Sequence, residues 1–156
     1  MNGIEGQVIA ICVCPGTGER MIAVPEVEAI TGAGLKGDRY CVGEGSFNRG
    51  NIGKRQVTLV NGTFFAGSSF KFNESRRNIV TMGVELMWLI GRDKFRIGEA
   101  WMRAVKYCDP CDRPSKLANK SGFREQFFDR GGIIAEVIEG GLIKIGDPII
   151  PPPKGY

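Results

Sequence analysis

Two of the five cysteines in this 156-residue chain, Cys108 and Cys111, stand in a C-x-x-C around Asp109-Pro110. Three readings fit that spacing. A thioredoxin-like redox pair needs an activated thiol at a helix N-terminus within a βαβ unit, whereas the flanking residues here read as successive strands. A structural zinc site needs two more thiolates, and Cys12 and Cys14 could supply them because residues i and i+2 share one strand face. The third reading is burial as small hydrophobes. It suits Cys12 and Cys14, inside an apolar run, better than Cys108 and Cys111, which lie among charged residues and prolines. The chain has no histidine, so Ser-His-Asp triads, histidine general bases and histidine-bound zinc or haem are excluded.

Two further segments concentrate positive charge. Glu74-Ser75-Arg76-Arg77-Asn78 puts two guanidiniums and an amide just before an apolar stretch. Arginine forks match phosphate and carboxylate oxygens, and an asparagine can donate to and accept from a heterocycle edge; a solvated strand end is the plainer alternative. Gly34-Leu35-Lys36-Gly37-Asp38-Arg39 is a glycine-flanked basic turn able to present backbone N–H groups to an anion, although it lacks the G-x-x-x-x-G-K-[ST] phosphate-loop pattern. The net charge of +4 is scattered. It points to a small anionic ligand rather than to nucleic acid.

The elements that must position these residues read mainly as strands. Gln7–Val13, Met21–Ile30 (with Pro25 at an edge), Arg55–Val60, Arg77–Thr81, Lys94–Ile97, Trp101–Tyr107, Ile133–Ile138 and Leu142–Ile145 are short, apolar and bounded by turn residues. Glu139-Gly140-Gly141 between the last two carries a hairpin signature. Gly32–Gly53 reads as one long functional loop, Asn61–Phe70 as a short helix, and Ser115–Phe128 as the best helix, interrupted at Gly122. Twenty-three glycines, about twice the usual ~7%, fit many turns between short strands. The expected fold is therefore mainly β, a closed or nearly closed β-barrel with a few short helices. Residues 1–150 form its single domain and 151–156 a proline-rich tail. No window approaches the ~18 apolar residues of a membrane span, and no basic run precedes Gln7–Val13, so the expectation is a cytoplasmic protein with reduced thiols and no membrane partner.

In combination these stretches resemble the MOSC domain, the module named for the C-terminal part of molybdenum cofactor sulfurases. The order is GLKGDRY, KRQVTLV, ESRRNIVTMGVELMWLIGRDKFRIGEA, CDPCDRP and RGGIIAEVIEGGLIKIGD. The resemblance runs from about Gly6 to Pro148 and implies a stand-alone, single-domain member without the pyridoxal-phosphate sulfurase domain, so that pyridoxal phosphate is not expected.

The resemblance implies a molybdenum cofactor (molybdopterin) and a strand-rich barrel. The family's characteristic cysteine after the proline of the P-C element is Cys111, which would be catalytic and a ligand of the metal. The R-x-N stretch maps onto Arg76 and Asn78, which would contact the pterin and its phosphate; alternation turns Arg77 to the other face. Lys36, Arg39 and Arg113 would join Arg76 in one pocket for the anionic pterin, and Arg113, two residues on, would favour the Cys111 thiolate. Many relatives carry a histidine after the G-D of the first loop, where this chain has Arg39-Tyr40. The implied activity is reduction of N-hydroxylated small molecules, with electrons from a separate protein. A sulfur (persulfide) carrier working with a sulfurase, and the four-cysteine zinc module, are the alternatives.

Overall fold

The computed structural model describes residues 6–46 and 53–153. In chain order the strands are β1 (Gly6–Val13), β2 (Ile22–Ala23), β3 (Glu26–Ile30), β4 (Gly34–Leu35), β5 (Val57–Asn61), β6 (Ile79–Met82), β7 (Phe95–Ile97), β8 (Ala100–Tyr107), β9 (Ile133–Glu139), β10 (Gly141–Lys144) and β11 (Pro148–Ile150); two short helices, α1 (Arg113–Ala118) and α2 (Phe123–Gln126), lie between β8 and β9. Seven strands close into a barrel in the order β11, β7, β8, β9, β5, β6, β1, with β1 returning to β11 through Gly6↔Ile149 and Gln7↔Pro148. Closure removes the exposed sheet edges on which other chains could pair. β2 extends the sheet beyond β1, and β10, β3 and β4 form a second, three-stranded sheet.

Alternation accounts for the barrel core. In β8, Ala100, Met102 and Ala104 are buried while Arg103 faces out, the period of two expected of a strand with one buried face. Val8, Ile11, Leu59, Ile79, Phe95, Ile97, Ile133 and Val137 complete one continuous apolar cluster. A second cluster sits outside the barrel wall, where Phe65, Phe70, Phe123 and Phe127 pack on Val60 and Val80. Phe123 and Phe127 stack at 4.5 Å, and Phe65 meets Phe127 edge-on at 4.9 Å. These contacts pin α1 and α2 beside the loop that carries Cys111.

Several sequence expectations change on folding. The stretch Met21–Ile30 is not one strand: β2 pairs with β1 and β3 with β10, because Pro25 has no N–H to continue a ladder. Ser115–Phe128 is two helices, broken where Asn119 and Gly122 take left-handed conformations (φ 53° and 89°). Asn61–Phe70 contains only a single 3₁₀ turn, Gly62–Phe65. The loop Gly32–Gly53 holds β4 and a 3₁₀ turn at Arg39–Val42 capped by Asp38; positions 47–52 of it, and 154–156 of the tail, lie outside the described residues.

Glu139-Gly140-Gly141 does not make a hairpin. β9 pairs with β5 and β8, whereas β10 pairs with β3. A Cβ at Gly140 would lie 2.4 Å from the Ala29 carbonyl oxygen, so the missing side chain lets the strand cross from one sheet to the other.

Candidate active site

Cys111 lies in the loop between β8 and α1, half-buried. The loop is held from two sides. The Cys108 N–H donates to Gly132 O at 2.9 Å. Arg77 donates through Nε to Gly131 O (2.8 Å), through Nη1 to Ser75 O (3.2 Å) and through Nη2 to Cys108 O (3.3 Å). One buried guanidinium thus ties the start of the cysteine loop to the segment before β9. The approach needs glycine at 131, since a Cβ there would stand 2.1 Å from Cys108 O.

In front of Cys111 lies a cavity of about 210 Å³, lined by Arg39, Arg55, Arg76, Arg77, Lys106 and Arg113 together with Tyr107 and Asp109. Six cations against one carboxylate make it strongly positive, and the low-dielectric walls focus that field. Arg76 follows a 3₁₀ turn at Phe72–Ser75 in a left-handed conformation, φ 65°. It donates through Nη1 to Glu19 O, and Nη2 lies 3.5 Å from Cys14 Sγ. Burial first, and then the Arg39 and Arg113 charges, hold Arg76 below the ordinary arginine range, with the Cys14 sulfur opposing them. Arg39 Nη1 lies 3.3 Å from Asp38 Oδ1, and its guanidinium sits 4.7 Å from the Tyr40 ring centroid. The Nε–H groups of Arg39 and Arg76 are buried without an acceptor. Buried donors nearly always have partners, and these two N–H groups are exceptions among the residues that line the cavity. Tyr107 accepts from the Gly131 N–H at 3.2 Å; its phenol is pushed up mainly by burial.

Behind the arginines stands Asp38, with no exposed side-chain surface. It accepts from the N–H of Cys14 (2.8 Å), the N–H of Tyr40 (3.2 Å), Asn78 Nδ2 (3.2 Å) and Arg39 Nη1 (3.3 Å). Its position in Gly-Asp-Arg was legible in the sequence, but its role as an internal anchor was not.

Four of the six residues singled out in the sequence, Cys111, Arg39, Arg76 and Arg113, meet at this cavity. The other two do not. Lys36 is 74% exposed and lies 3.9 Å from Glu28 Oε1, because the turn at Gly37 points it to solvent on the side of β3. Asn78 is buried and saturated: its Oδ1 accepts from the Thr58 N–H (3.0 Å) and hydroxyl (3.2 Å), and its Nδ2 donates to Cys12 O (3.1 Å) and Asp38. It fastens β1, β5 and β6 together and has no hydrogen-bonding group left for a ligand.

Arg55, Lys106 and Tyr107 are lining residues that the sequence reading passed over, and Arg77, which it turned to the other face, lines the cavity as well. Two backbone irregularities explain the last three. The left-handed Arg76 breaks the alternation that would send Arg77 to the opposite face. A register shift between Ala104 and Lys106 in β8 re-aims Lys106 and Tyr107, a known use of bulges beside functional sites. Neither irregularity has a local sequence signature.

The four-thiolate arrangement does not assemble. Among the described residues no three cysteine, histidine or acidic side chains come together as metal ligands. Burial pushes the Cys12 thiol up to about 11, and the Cys14 thiol donates to Gly16 O at 2.8 Å. No described helix is long and apolar enough to cross a membrane.

Comparison with known proteins agrees with this architecture. The YuaD protein of Bacillus subtilis superposes with a TM-score of 0.76 at 16% identity, covering 92% of this chain and 93% of that one. YiiM of Geobacillus stearothermophilus gives 0.70 at 15% identity over 97% of this chain and 77% of its own, and YiiM of Escherichia coli 0.64 at 20% over 96% and 71%. At such identities the likeness establishes the fold. No curated protein sequence matches the chain. Residues 52–150, well over half the chain and including Arg76, Cys111 and Arg113, match the MOSC domain, and the chain belongs to the MOSC domain family.

Proposed function

We propose that the basic cavity binds a molybdenum cofactor, with the Cys111 thiolate as ligand of the metal, and that the protein reduces N-hydroxylated small molecules with electrons from a separate protein. The observation that carries the reading is a half-buried cysteine in the wall of a cavity that six cationic side chains line against one carboxylate. The residues present fit the group. A thiolate is the soft anionic side chain that a metal such as molybdenum accepts, and the phosphate and sulfurs of the pterin are anions for Arg39, Arg76 and Arg113 to hold. Bound there, the cofactor supplies two-electron redox chemistry. The chain's own part is to hold the start of the loop that carries the sulfur through the Arg77 clamp and to surround that sulfur with positive charge.

Elemental and pterin analysis of protein made in a cofactor-competent host tests this. Wild type should carry about one molybdenum per chain, and Cys111→Ser should lose it while its unfolding free energy in urea stays within about 0.5 kcal/mol of wild type when both are cofactor-free, since the residue is half-exposed. Absence of molybdenum and pterin from the wild type would overturn the proposal.

A second reading is a persulfide carrier. It is favoured by the position of Cys111 in the wall of a further, wider depression, where another protein's sulfur could reach it. Cyanide-releasable sulfur on Cys111 in molybdenum-free protein would support it. The five free cysteines fit a reducing compartment such as the cytoplasm.

A further inference from the structure

Burial grades the walls of the basic cavity. Arg39, Arg76 and Arg77 are buried, whereas Lys106 and Asp109 are exposed and Tyr107 and Cys111 lie between these extremes. The deep end suits the anions of a cofactor, and a reactant comes in over the rim, past Tyr107. Removing the oxygen of an R–NH–OH group takes two electrons and two protons and yields R–NH₂ and water. The electrons come from outside the chain. Its own side chains can deliver a proton, but with no histidine anywhere in the sequence the commonest donor near neutral pH is missing.

We infer that Tyr107 is the proton donor for N–O cleavage in this cavity. The inference rests on the proposed reductase reading and adds a catalytic residue to it. The Tyr107 oxygen accepts the Gly131 N–H at 3.2 Å, a contact that uses a lone pair and leaves the O–H proton available. Burial first, and then the Asp129 and Asp109 charges, hold the phenol above the ordinary tyrosine range, so it keeps its proton at neutral pH. The Gly131 N–H and the Arg77 charge act the other way and are placed to steady the phenolate left after transfer. Arg55, Lys106 and Arg113 stand elsewhere on the cavity wall. In the step, the Tyr107 O–H bond breaks and its proton goes to the departing oxygen. The N–O bond breaks, the oxygen leaves as water, and the nitrogen takes the electron pair and a proton from solvent. Water at the rim then returns a proton to the phenolate. Lys106 and Asp109 are the other titratable groups at the rim, and both are exposed, whereas a hydrogen bond fixes the phenol.

Protein loaded in a cofactor-competent host, with reduced methyl viologen as electron source and benzamidoxime as reactant, tests the role. Tyr107→Phe removes the O–H and keeps the ring. It should carry molybdenum as wild type does and hold KM within about threefold, while kcat falls by about a hundredfold or more. The decline of wild-type kcat at alkaline pH, as Tyr107 loses its proton, should be absent from the variant. A second readout needs no cofactor. In a Cys41→Ser chain from a host that cannot make the pterin, Cys111 is alkylated with anionic iodoacetate or with neutral iodoacetamide, and mass mapping checks the site. The added carboxylate should raise the Tyr107 titration by about 0.3 pH unit or more over the neutral adduct, read from phenolate absorbance as the difference from Tyr107→Phe. Equal titrations in the two adducts, or a loaded Tyr107→Phe with kcat within about threefold of wild type, would overturn the inference. Wild type without molybdenum or pterin would overturn the proposed function instead, and the titration would still report whether Tyr107 faces Cys111, so the two failures are separable.

Discussion

Replacing Asp38 by Asn removes one charge and keeps the shape, and the structure sets what should follow. Asp38 Oδ1 accepts from Cys14, Asn78 and Arg39, and Oδ2 accepts from the Tyr40 N–H at 3.2 Å. The variant amide keeps one oxygen and turns an NH₂ toward the Tyr40 N–H, donor against donor. The lost charge-assisted bond is worth about 1.5–3 kcal/mol. Arg39, whose side chain is 8% exposed, is left without its carboxylate, and breaking such a pair from one side costs about 3–5 kcal/mol. Both losses draw on the same charge, so the total is about 3–5 kcal/mol rather than their sum. That corresponds to a melting temperature lower by about 6–20 °C at this chain length, or a urea midpoint lower by about 2 M. Urea unfolding followed by tryptophan fluorescence measures it. Adding Arg39→Met to Asp38→Asn should recover about 1 kcal/mol or more, because the unpaired cation is then gone. A cost below about 1 kcal/mol for Asp38→Asn, or a double variant no more stable than the single one, would refute the anchoring role.

Other outcomes follow from individual contacts. Burial raises the Cys12 thiol to about 11 from an ordinary 9.0, so between these values the folded chain holds a proton that the unfolded chain has lost. Its contribution to stability is intact below pH 9 and falls by about 1.4 kcal/mol per pH unit up to pH 11; Cys12→Ala should remove that part of the alkaline loss in urea titrations at pH 8, 9, 10 and 11. Gly131→Ala forces a Cβ against Cys108 O and should cost about 1–3 kcal/mol, while shifting the Cys111 loop enough to change its alkylation rate. Unchanged stability and reactivity in that variant would show that the approach is not tight.

The core was largely legible in the sequence. Short apolar runs bounded by turn residues, such as Trp101–Tyr107, report which segments become strands, and that local property survives folding. The segment Glu139-Gly140-Gly141 shows where legibility ends: a glycine pair after Glu139 has the composition of a hairpin, yet β10 pairs with β3, more than a hundred residues earlier. Nothing within the turn encodes that partner. The candidate site divides in the same way. Cys111 and Arg76 were marked by family pattern and Arg39 and Arg113 by charge, whereas Lys36, chosen by charge, lies at the surface and Asn78, chosen by family pattern, is saturated inside the fold.

From the sequence alone came the exclusion of histidine chemistry, the single strand-rich domain, and a cysteine that could serve as a soft ligand. These follow from composition and short-range period, which do not depend on where the chain goes next. The tertiary structure decided which charges share a cavity. A left-handed turn at Arg76, a register shift in β8 and the crossing of strands from distant parts of the chain each rotate a side chain by a face or move it across the barrel. Such choices are made by long-range packing, whose energy belongs to no single segment.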